Sequence, residues 1–215
     1  MPVAPVSGNR GGGGAFVVFE GGEGAGKSTV IAAVAEDFLA GGREVVTTRE
    51  PGGTPTAEAI RGVLLAPADA PMADRCEALL FAAARADHVA KVIRPAIARG
   101  ALVLSDRFVD SSLAYQGFAR GLDVDEVRGL SRWACDGVEP DLTIVLDLDP
   151  QVGLERARDG NRMEAQGLDF HRAVRAGLLS LAAQAPSRYV VVDAARPLTT
   201  VVADSLAAMA GVASP

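Results

Sequence analysis

The chain has 215 residues, of which 49% are hydrophobic and 22% are charged. This length and composition suit one α/β domain with a full hydrophobic core and exclude a disordered chain. The formal net charge of -6 argues against a polynucleotide-binding surface, which needs a basic stripe. No apolar run approaches the length of a membrane span, so we expect neither a polynucleotide nor a membrane partner.

Two further features bear on the setting and extent of the domain. Cys76 and Cys135 form no C-x-x-C pair, and we interpret both as buried small apolar residues in a reducing, cytoplasmic environment. Residues 1–14 contain Pro, Ser and consecutive glycines but no apolar segment. We therefore predict a flexible Gly-rich tail there rather than a secretory signal, and a single domain over residues 15–215.

The first predicted strand covers residues 15–20, and apolar positions with helical spacing follow over residues 30–39. Between them lies the pattern G-x-x-x-x-G-K-S, a phosphate-binding P-loop. Glycines allow successive backbone N–H groups to point inward, and the following helix adds its positive N-terminus. The alternative, a chance Gly-rich turn, is disfavoured by the flanking strand and helix.

This loop predicts a site for ATP. Lys27 is expected to reach the β- and γ-phosphates, and the Ser28 hydroxyl is expected to hold Mg²⁺. We assign the phosphates of ATP to the whole segment, which consists of Gly21, Gly22, Glu23, Gly24, Ala25, Gly26, Lys27, Ser28 and Thr29.

The second predicted strand, over residues 44–48, runs into Arg49 and a loop rich in Pro and Gly. An arginine at the end of a parallel strand is well placed for a ligand at the carboxyl edge of the sheet. A solvated loop arginine is the alternative. A helix is predicted over residues 56–65, capped by Thr54.

A long helix is predicted over residues 73–94, ending near Pro95. Phe81 and Arg85 lie one turn apart and therefore project from the same face. On an apolar helix, Phe81 taken alone is more often a core residue. Its pairing with Arg85 favours a ligand role.

The third predicted strand, over residues 101–105, is followed directly by Asp106 and Arg107. A carboxylate just past a buried strand is the arrangement that holds Mg²⁺ in P-loop enzymes, so we assign the metal to Asp106 and Ser28. Asp106 could also cap the next helix. The segment after it places Ser112 and Gln116 on one helical face, with Tyr115 beside them.

The last two predicted strands cover residues 142–148 and 189–193. Helices are predicted before them over 123–135, between them over 150–158 and 170–185, and after them over 198–209. Alternating strands and helices predict an α/β, three-layer P-loop NTPase fold with a five-stranded parallel sheet and helices on both faces. Ligands bind past the carboxyl ends of such strands. The P-loop, Arg49, Asp106 and Arg107 all fall there.

Three segments are specific when taken together, namely Arg49-Glu50-Pro51-Gly52-Gly53-Thr54, Asp106-Arg107-Phe108 and Ser112-Leu113-Ala114-Tyr115-Gln116-Gly117. In this order and spacing they resemble bacterial thymidylate kinases, which are P-loop nucleoside monophosphate kinases. The likeness extends from about Phe16 to the C-terminus. It implies transfer of the γ-phosphoryl group of ATP to dTMP, giving dTDP and ADP, and it also implies a homodimer.

The resemblance implies roles in the dTMP site at the matching positions. Arg49 and Arg107 would hold the acceptor phosphate, and Lys27 and Arg107 would act in catalysis. Phe81 would stack on thymine and Arg85 would donate to a thymine carbonyl. The remaining contacts to dTMP are assigned to Ser112, to Gln116 at the base edge, and to Glu23 and Tyr115 at the sugar. For Tyr115, packing alone is an equal alternative.

The segment from about residue 156 to 168 resembles the mobile lid of this family. The P-loop contains no arginine at positions 22–25, so the resemblance implies that the lid supplies a catalytic arginine. Arg158 and Arg162 are the candidates, with Arg156 a third. Where most relatives have Asp-Arg, this chain has Asn161-Arg162, and its lid is a few residues shorter.

Two other functions remain as alternatives. A deoxynucleoside kinase would phosphorylate a neutral sugar hydroxyl and would have little use for Arg49 and Arg107. A P-loop switch ATPase that acts through partners would hydrolyse ATP slowly without an acceptor nucleotide. Such a protein would leave Phe81 and Arg85 without a purpose.

Overall fold

A five-stranded parallel sheet forms the centre of the protein, which is described by a computed structural model over residues 13–66, 72–157 and 162–213. The strands are β1 (Ala15–Glu20), β2 (Val45–Arg49), β3 (Leu102–Asp106), β4 (Leu142–Asp147) and β5 (Tyr189–Asp193). They lie in the order β2-β3-β1-β4-β5, and every pair is parallel. The predicted α/β fold is therefore confirmed.

Helices connect these strands. They are α1 (Lys27–Ala40), α2 (Pro55–Leu65), α3 (Asp74–His88), α4 (Arg94–Ala98), α5 (Val109–Ser112), α6 (Val124–Cys135), α7 (Pro150–Arg156), α8 (Leu168–Gln184) and α9 (Leu198–Met209). Two π-helical stretches interrupt the pattern, Val89–Ile93 between α3 and α4, and Leu113–Ala119 after α5.

Side chains alternate along β1 between two hydrophobic cores, as the pleat of a strand requires. Val17 and Phe19 pack with Phe38 of α1 and with α9 on one side of the sheet. Phe16 packs with Ile93 and α4 on the other side. Because both faces are covered, the inner strands β1, β3 and β4 are almost entirely buried and largely apolar, which is typical of parallel sheets. The edge strands β2 and β5 are only partly buried.

The long helix differs from its prediction at the C-terminal end. It was expected to end near Pro95, but the chain passes through the π-helical stretch Val89–Ile93 and continues as α4 to Ala98. Pro95 lies in the first turn of α4, where a backbone N–H is not required. The proline therefore starts a new helical segment instead of ending the old one.

No helix within the described ranges has both the length and the apolar character needed to cross a bilayer. The first twelve residues of the predicted tail lie outside the described residues. Cys135 is buried as predicted, but Cys76 on α3 is exposed, so the prediction of a buried thiol is wrong there.

Candidate active site

The P-loop joins β1 to α1 with the geometry that its glycines predict. Gly26 caps the N-terminus of α1 at φ 83°, a left-handed conformation that other residues rarely adopt. The Lys27 ammonium group donates to the carbonyl oxygens of Gly21 at 3.1 Å and Gly22 at 3.0 Å. These bonds hold the lysine over the mouth of the loop, with its Nζ 4.0 Å from Asp106 Oδ1.

Arg107 is the central cation of the site. Its φ of 72° lies in the left-handed region that is unfavourable for a residue with a Cβ. Its Nη1 donates to Gly21 O at 3.0 Å and Ser111 Oγ at 3.1 Å, and its Nη2 donates to Glu23 Oε1 at 2.9 Å. Of five N–H donors in a guanidinium group, two remain for an anion among the described residues.

Glu23 connects the P-loop to the helix beyond β3. Its Oε1 also accepts from the Tyr115 hydroxyl at 2.9 Å, and Arg107 lies over the Tyr115 ring at 5.1 Å. Burial would raise the pKa of Glu23, but the charges of Arg107 and Lys27 and the Tyr115 hydrogen bond outweigh it and lower that pKa. Glu23 is therefore ionised at neutral pH and holds Arg107 in place.

A second carboxylate, Glu20, lies behind Arg107 and is fully buried. It accepts from the backbone N–H groups of Phe108 at 2.9 Å and Ser111 at 3.0 Å, and from Ser111 Oγ at 2.6 Å. Burial, followed by the nearby Asp110, raises the pKa of Glu20 to about 7. Because Ser111 Oγ also accepts from Arg107, this hydroxyl links Glu20 to the arginine.

A cleft opens beside this network. It brings together seven of the residues predicted for dTMP, which are Glu23, Phe81, Arg85, Arg107, Ser112, Tyr115 and Gln116. They come from the P-loop, from α3 and from the segment after β3. Tyr115 and Gln116 both lie on the π-helical stretch Leu113–Ala119.

The floor of the cleft is formed by Arg85, which is 1% exposed. Its Nε donates to Glu50 Oε2 at 2.8 Å, its Nη1 to Ser131 Oγ at 3.2 Å, and its Nη2 to Phe108 O and Ser112 Oγ, both at 3.0 Å. One Nη1 hydrogen remains among the described contacts. That single donor is consistent with the predicted contact to a base carbonyl.

Arg49 lies outside this cleft. It faces an open groove beside the P-loop, together with Ser28 and Asp106. Its Nη2 donates to Glu58 Oε1 at 2.9 Å and Oε2 at 3.0 Å, and its side chain is 52% exposed. In this structure Arg49 and Arg107 therefore have different partners, and the expectation that both hold the acceptor phosphate stays a prediction.

The same groove contains the two residues that were predicted to bind Mg²⁺, Ser28 and Asp106. A serine hydroxyl and an aspartate carboxylate both line it, and these are hard oxygen ligands of the kind that Mg²⁺ prefers. No group of three or more His, Cys, Asp or Glu side chains that could hold a metal occurs in the described ranges. Such a sparse donor set fits an ion that takes its other ligands from nucleotide phosphates and water.

The three arginines predicted as lid candidates do not share one environment. Arg158 and Asn161 lie outside the described residues, and Arg156 is an exposed residue at the end of α7. Arg162 Nε donates to Leu64 O at 2.8 Å, and its Nη2 lies 2.7 Å from Glu77 Oε2. In this structure Arg162 thus attaches the start of the segment 162–167 to α2 and α3.

Sequence reasoning missed several residues that shape the site. Arg61 and Met163 line the cleft, and a Cβ at Gly153 of α7 would overlap the Glu23 carbonyl oxygen. Gly153 therefore permits close approach of α7 to the P-loop. No local pattern marks Arg61 or Met163, but a glycine inside a predicted helix is a signal for such an approach.

Comparisons with known proteins agree with this geometry. A family model described as thymidylate kinase matches residues 19–205. The chain is 48% identical over 201 residues to a thymidylate kinase of Geobacillus sp. (strain WCH70), covering 91% of this chain and 96% of that protein.

Two further relatives extend the similarity. A thymidylate kinase of Pseudomonas fluorescens (strain Pf0-1) is 51% identical over 191 residues, covering 87% of this chain and 91% of that protein. The crystal structure of thymidylate kinase from Ehrlichia chaffeensis superimposes with a TM-score of 0.74 at 32% identity, covering 90% of this chain and 97% of that one.

Proposed function

Since the chain belongs to the thymidylate kinase family, we propose that it transfers the γ-phosphoryl group of ATP to dTMP, giving dTDP and ADP, in the cleft beside its P-loop. The observation that carries this proposal is the convergence on that cleft of Glu23 from the P-loop with Phe81, Arg85 and Arg107. This set provides an anion site at one end and a flat, hydrogen-bonding pocket at the other.

Arg107 binds the acceptor phosphate. Two of its N–H donors remain for an anion after its bonds to Glu23, Gly21 and Ser111, and charge-assisted bonds from a guanidinium group suit a phosphate. Glu23 and Tyr115 hold this arginine and border the sugar. Arg49 is proposed to contact the same phosphate from the groove, with its Nη2 bonded to Glu58.

The base end of the cleft selects a pyrimidine. Phe81 stacks on the ring, while Arg85 and Ser112 meet it from the floor of the cleft and Gln116 meets its edge. Hydrogen-bonding groups in a buried site reject analogues that leave them unpaired. This end of the cleft therefore provides specificity, whereas the phosphate end provides affinity.

ATP occupies the P-loop, residues 21–29, with Lys27 on its terminal phosphates. Mg²⁺ is proposed to bind at Ser28 and Asp106, where it would neutralise charge on the transferring phosphoryl group. Burial and the charge of Arg107 lower the pKa of Lys27, opposed by Asp106 and Glu23. The hydrogen bonds of Lys27 to Gly21 and Gly22 place its charge where the phosphates are expected.

The lid completes the site by supplying a further positive charge. An arginine between donor and acceptor phosphates contributes on the order of 10³–10⁵ in rate in related phosphoryl transfers. Arg158 is our preferred candidate, because Arg162 is engaged with Glu77 and Leu64. Arg162 could take this role only after leaving that carboxylate.

A coupled assay of ADP release tests the proposal, using MgATP with dTMP, dUMP, dCMP, AMP, GMP or thymidine. We expect strong turnover with dTMP. Turnover of thymidine in place of dTMP would identify a deoxynucleoside kinase, and ADP release without any acceptor would identify a P-loop ATPase. Lys27→Met should abolish the reaction, whereas Lys91→Met, at a lysine with a 58% exposed side chain, should not.

We also propose that the protein is a cytoplasmic homodimer. Trp133 on α6 is 82% exposed and Leu79 on α3 is 58% exposed, and these two helices pack beside each other. Exposed large apolar side chains of this kind are enriched at interfaces. Light scattering should give the mass of a dimer for the native protein and of a monomer for Trp133→Glu. A native monomer would contradict the proposal.

A further inference from the structure

Glu77 is a buried carboxylate that is not among the residues lining the cleft. It lies on α3, one turn before Phe81, and is 1% exposed. Its Oε1 accepts from the Gln116 amide nitrogen Nε2 at 2.8 Å. The function proposed above gives this carboxylate no role, although it contacts a side chain that lines the cleft.

Two arginines surround the same carboxylate. Arg120 Nη2 lies 3.3 Å from Glu77 Oε2 and Arg120 Nε lies 3.4 Å from Oε1. Arg162 Nη2 lies 2.7 Å from Oε2. Burial would raise the pKa of Glu77, but the bonds from Gln116, Arg162 and Arg120 outweigh it and lower that pKa. Glu77 is therefore an ionised carboxylate, which only accepts hydrogen bonds.

This charge state fixes the orientation of the Gln116 amide. A glutamine amide can rotate so that its oxygen and nitrogen exchange places, and the neighbouring groups decide which way it points. Beside an acceptor-only carboxylate, the nitrogen must face Glu77. The oxygen Oε1 and the second N–H of Gln116 are then left for other partners, and Gln116 borders the cleft.

An oxygen acceptor with an adjacent N–H donor matches one kind of base edge. Thymine and uracil carry an N3–H donor beside the O4 acceptor, whereas cytosine carries an N3 acceptor beside an amino donor. A fixed Gln116 amide complements the first pattern and opposes the second. A freely rotating amide would accept both patterns.

We propose that Glu77 is a positioning residue that locks the Gln116 amide and thereby makes the cleft select the imide edge of thymine over the amino edge of cytosine. This proposal rests on the proposed function, because it assumes that the base of the acceptor nucleotide meets Gln116. Glu77 itself acts only through the glutamine.

The test compares kcat/KM for dTMP, dUMP and dCMP in the native enzyme and in Glu77→Gln. A glutamine at 77 both donates and accepts, so it releases the orientation of Gln116. We expect the dTMP-to-dCMP ratio to fall by about tenfold, the order of one base-edge hydrogen-bond pair. The dTMP-to-dUMP ratio should stay unchanged, because both bases have the same imide edge. A general loss of packing or of active enzyme cannot produce this split.

Two controls isolate the effect. Asp74→Asn removes another carboxylate near Arg120, 3.8 Å from its Nε, without touching Gln116, and should leave both ratios unchanged. In a Gln116→Leu background, Glu77→Gln should cause no further change in the dTMP-to-dCMP ratio. Should Glu77→Gln fail to fold, Glu77→Asp keeps the charge but withdraws the carboxylate, and its dTMP-to-dCMP ratio should also fall.

An unchanged dTMP-to-dCMP ratio in Glu77→Gln, or in Glu77→Asp when only that variant folds, overturns the proposal, as does a further change in the Gln116→Leu background. Failure of the native enzyme to phosphorylate dTMP would instead overturn the proposed function. The two failures are therefore distinguishable in one set of assays.

Discussion

Arg49 is the last residue of β2 and Arg107 directly follows the neighbouring parallel strand β3, yet the two side chains differ in exposure and in partners. The side chain of Arg107 is 15% exposed and bound to the P-loop, Glu23 and Ser111, whereas that of Arg49 is 52% exposed and paired with Glu58. Fixed donors bind a phosphate without paying the entropy of ordering a free side chain. An exposed ion pair contributes little and is screened by salt. Arg107 should therefore dominate acceptor binding.

Arg107→Lys should have the largest effect. A lysine cannot reproduce three guanidinium bonds and still offer two donors to a phosphate. We expect kcat/KM for dTMP to fall by about 10²–10³, measured by steady-state kinetics. Circular dichroism should remain native as a control. A loss below about tenfold would show that the fixed network around Arg107 is not what holds the acceptor.

Ser111→Ala tests the support of Arg107 directly. It removes the hydroxyl that accepts from Arg107 at 3.1 Å and donates to Glu20 at 2.6 Å. We expect KM for dTMP to rise by about tenfold, the order of one lost buried hydrogen bond, while KM for ATP stays unchanged. Equal changes in both Michaelis constants would contradict a specific role at the acceptor end.

Arg49→Lys should have a smaller effect than either change at the Arg107 network. An exposed pair contributes at most about 1 kcal/mol, so we expect kcat/KM for dTMP to fall about fivefold or less, and the loss to shrink further at high salt. Glu58→Gln is the matched variant, because it frees the arginine without removing it. A loss as large as that of Arg107→Lys would reverse the comparison between the two arginines.

The smallest expected effect concerns Glu20 and is a change in how the free energy of unfolding depends on pH. Its pKa is raised in the folded protein to about 7, from the usual 4.5 of a glutamate. The folded state therefore binds its proton more tightly than the unfolded state does. Its contribution to stability is fully present below pH 4.5 and is lost as pH rises through about 7.

Glu20→Gln should remove this contribution. Denaturant unfolding at several pH values between about 4.5 and 8 should show that the free energy of unfolding of the native protein decreases with pH more steeply than that of Glu20→Gln. Parallel curves would mean that Glu20 does not titrate in this range. Asp110, whose pKa is also raised by burial, provides a comparison through Asp110→Asn.

Local sequence patterns were enough to predict the sheet, the P-loop and the residues at the strand ends. Strands and the loop depend on local patterns, such as the apolar run Ala15–Glu20 and the glycines after it. Because parallel strands end at one edge, Asp106 and Arg107 had to lie near the P-loop. Helical spacing likewise placed Phe81 and Arg85 on one face. These inferences needed only neighbours in the chain.

The pairing of groups across the site could not be predicted from local patterns and became clear from the packing of the folded chain. Glu77 contacts Gln116 and Arg162, which lie far from it in the sequence. Gly153 of α7 lies against the P-loop at Glu23. Arg49 and Arg107 likewise differ in their partners, because Glu58 of α2 binds the first and Glu23 of the P-loop binds the second. Such pairings are set by how helices pack on the sheet, and no periodicity within a single segment records them.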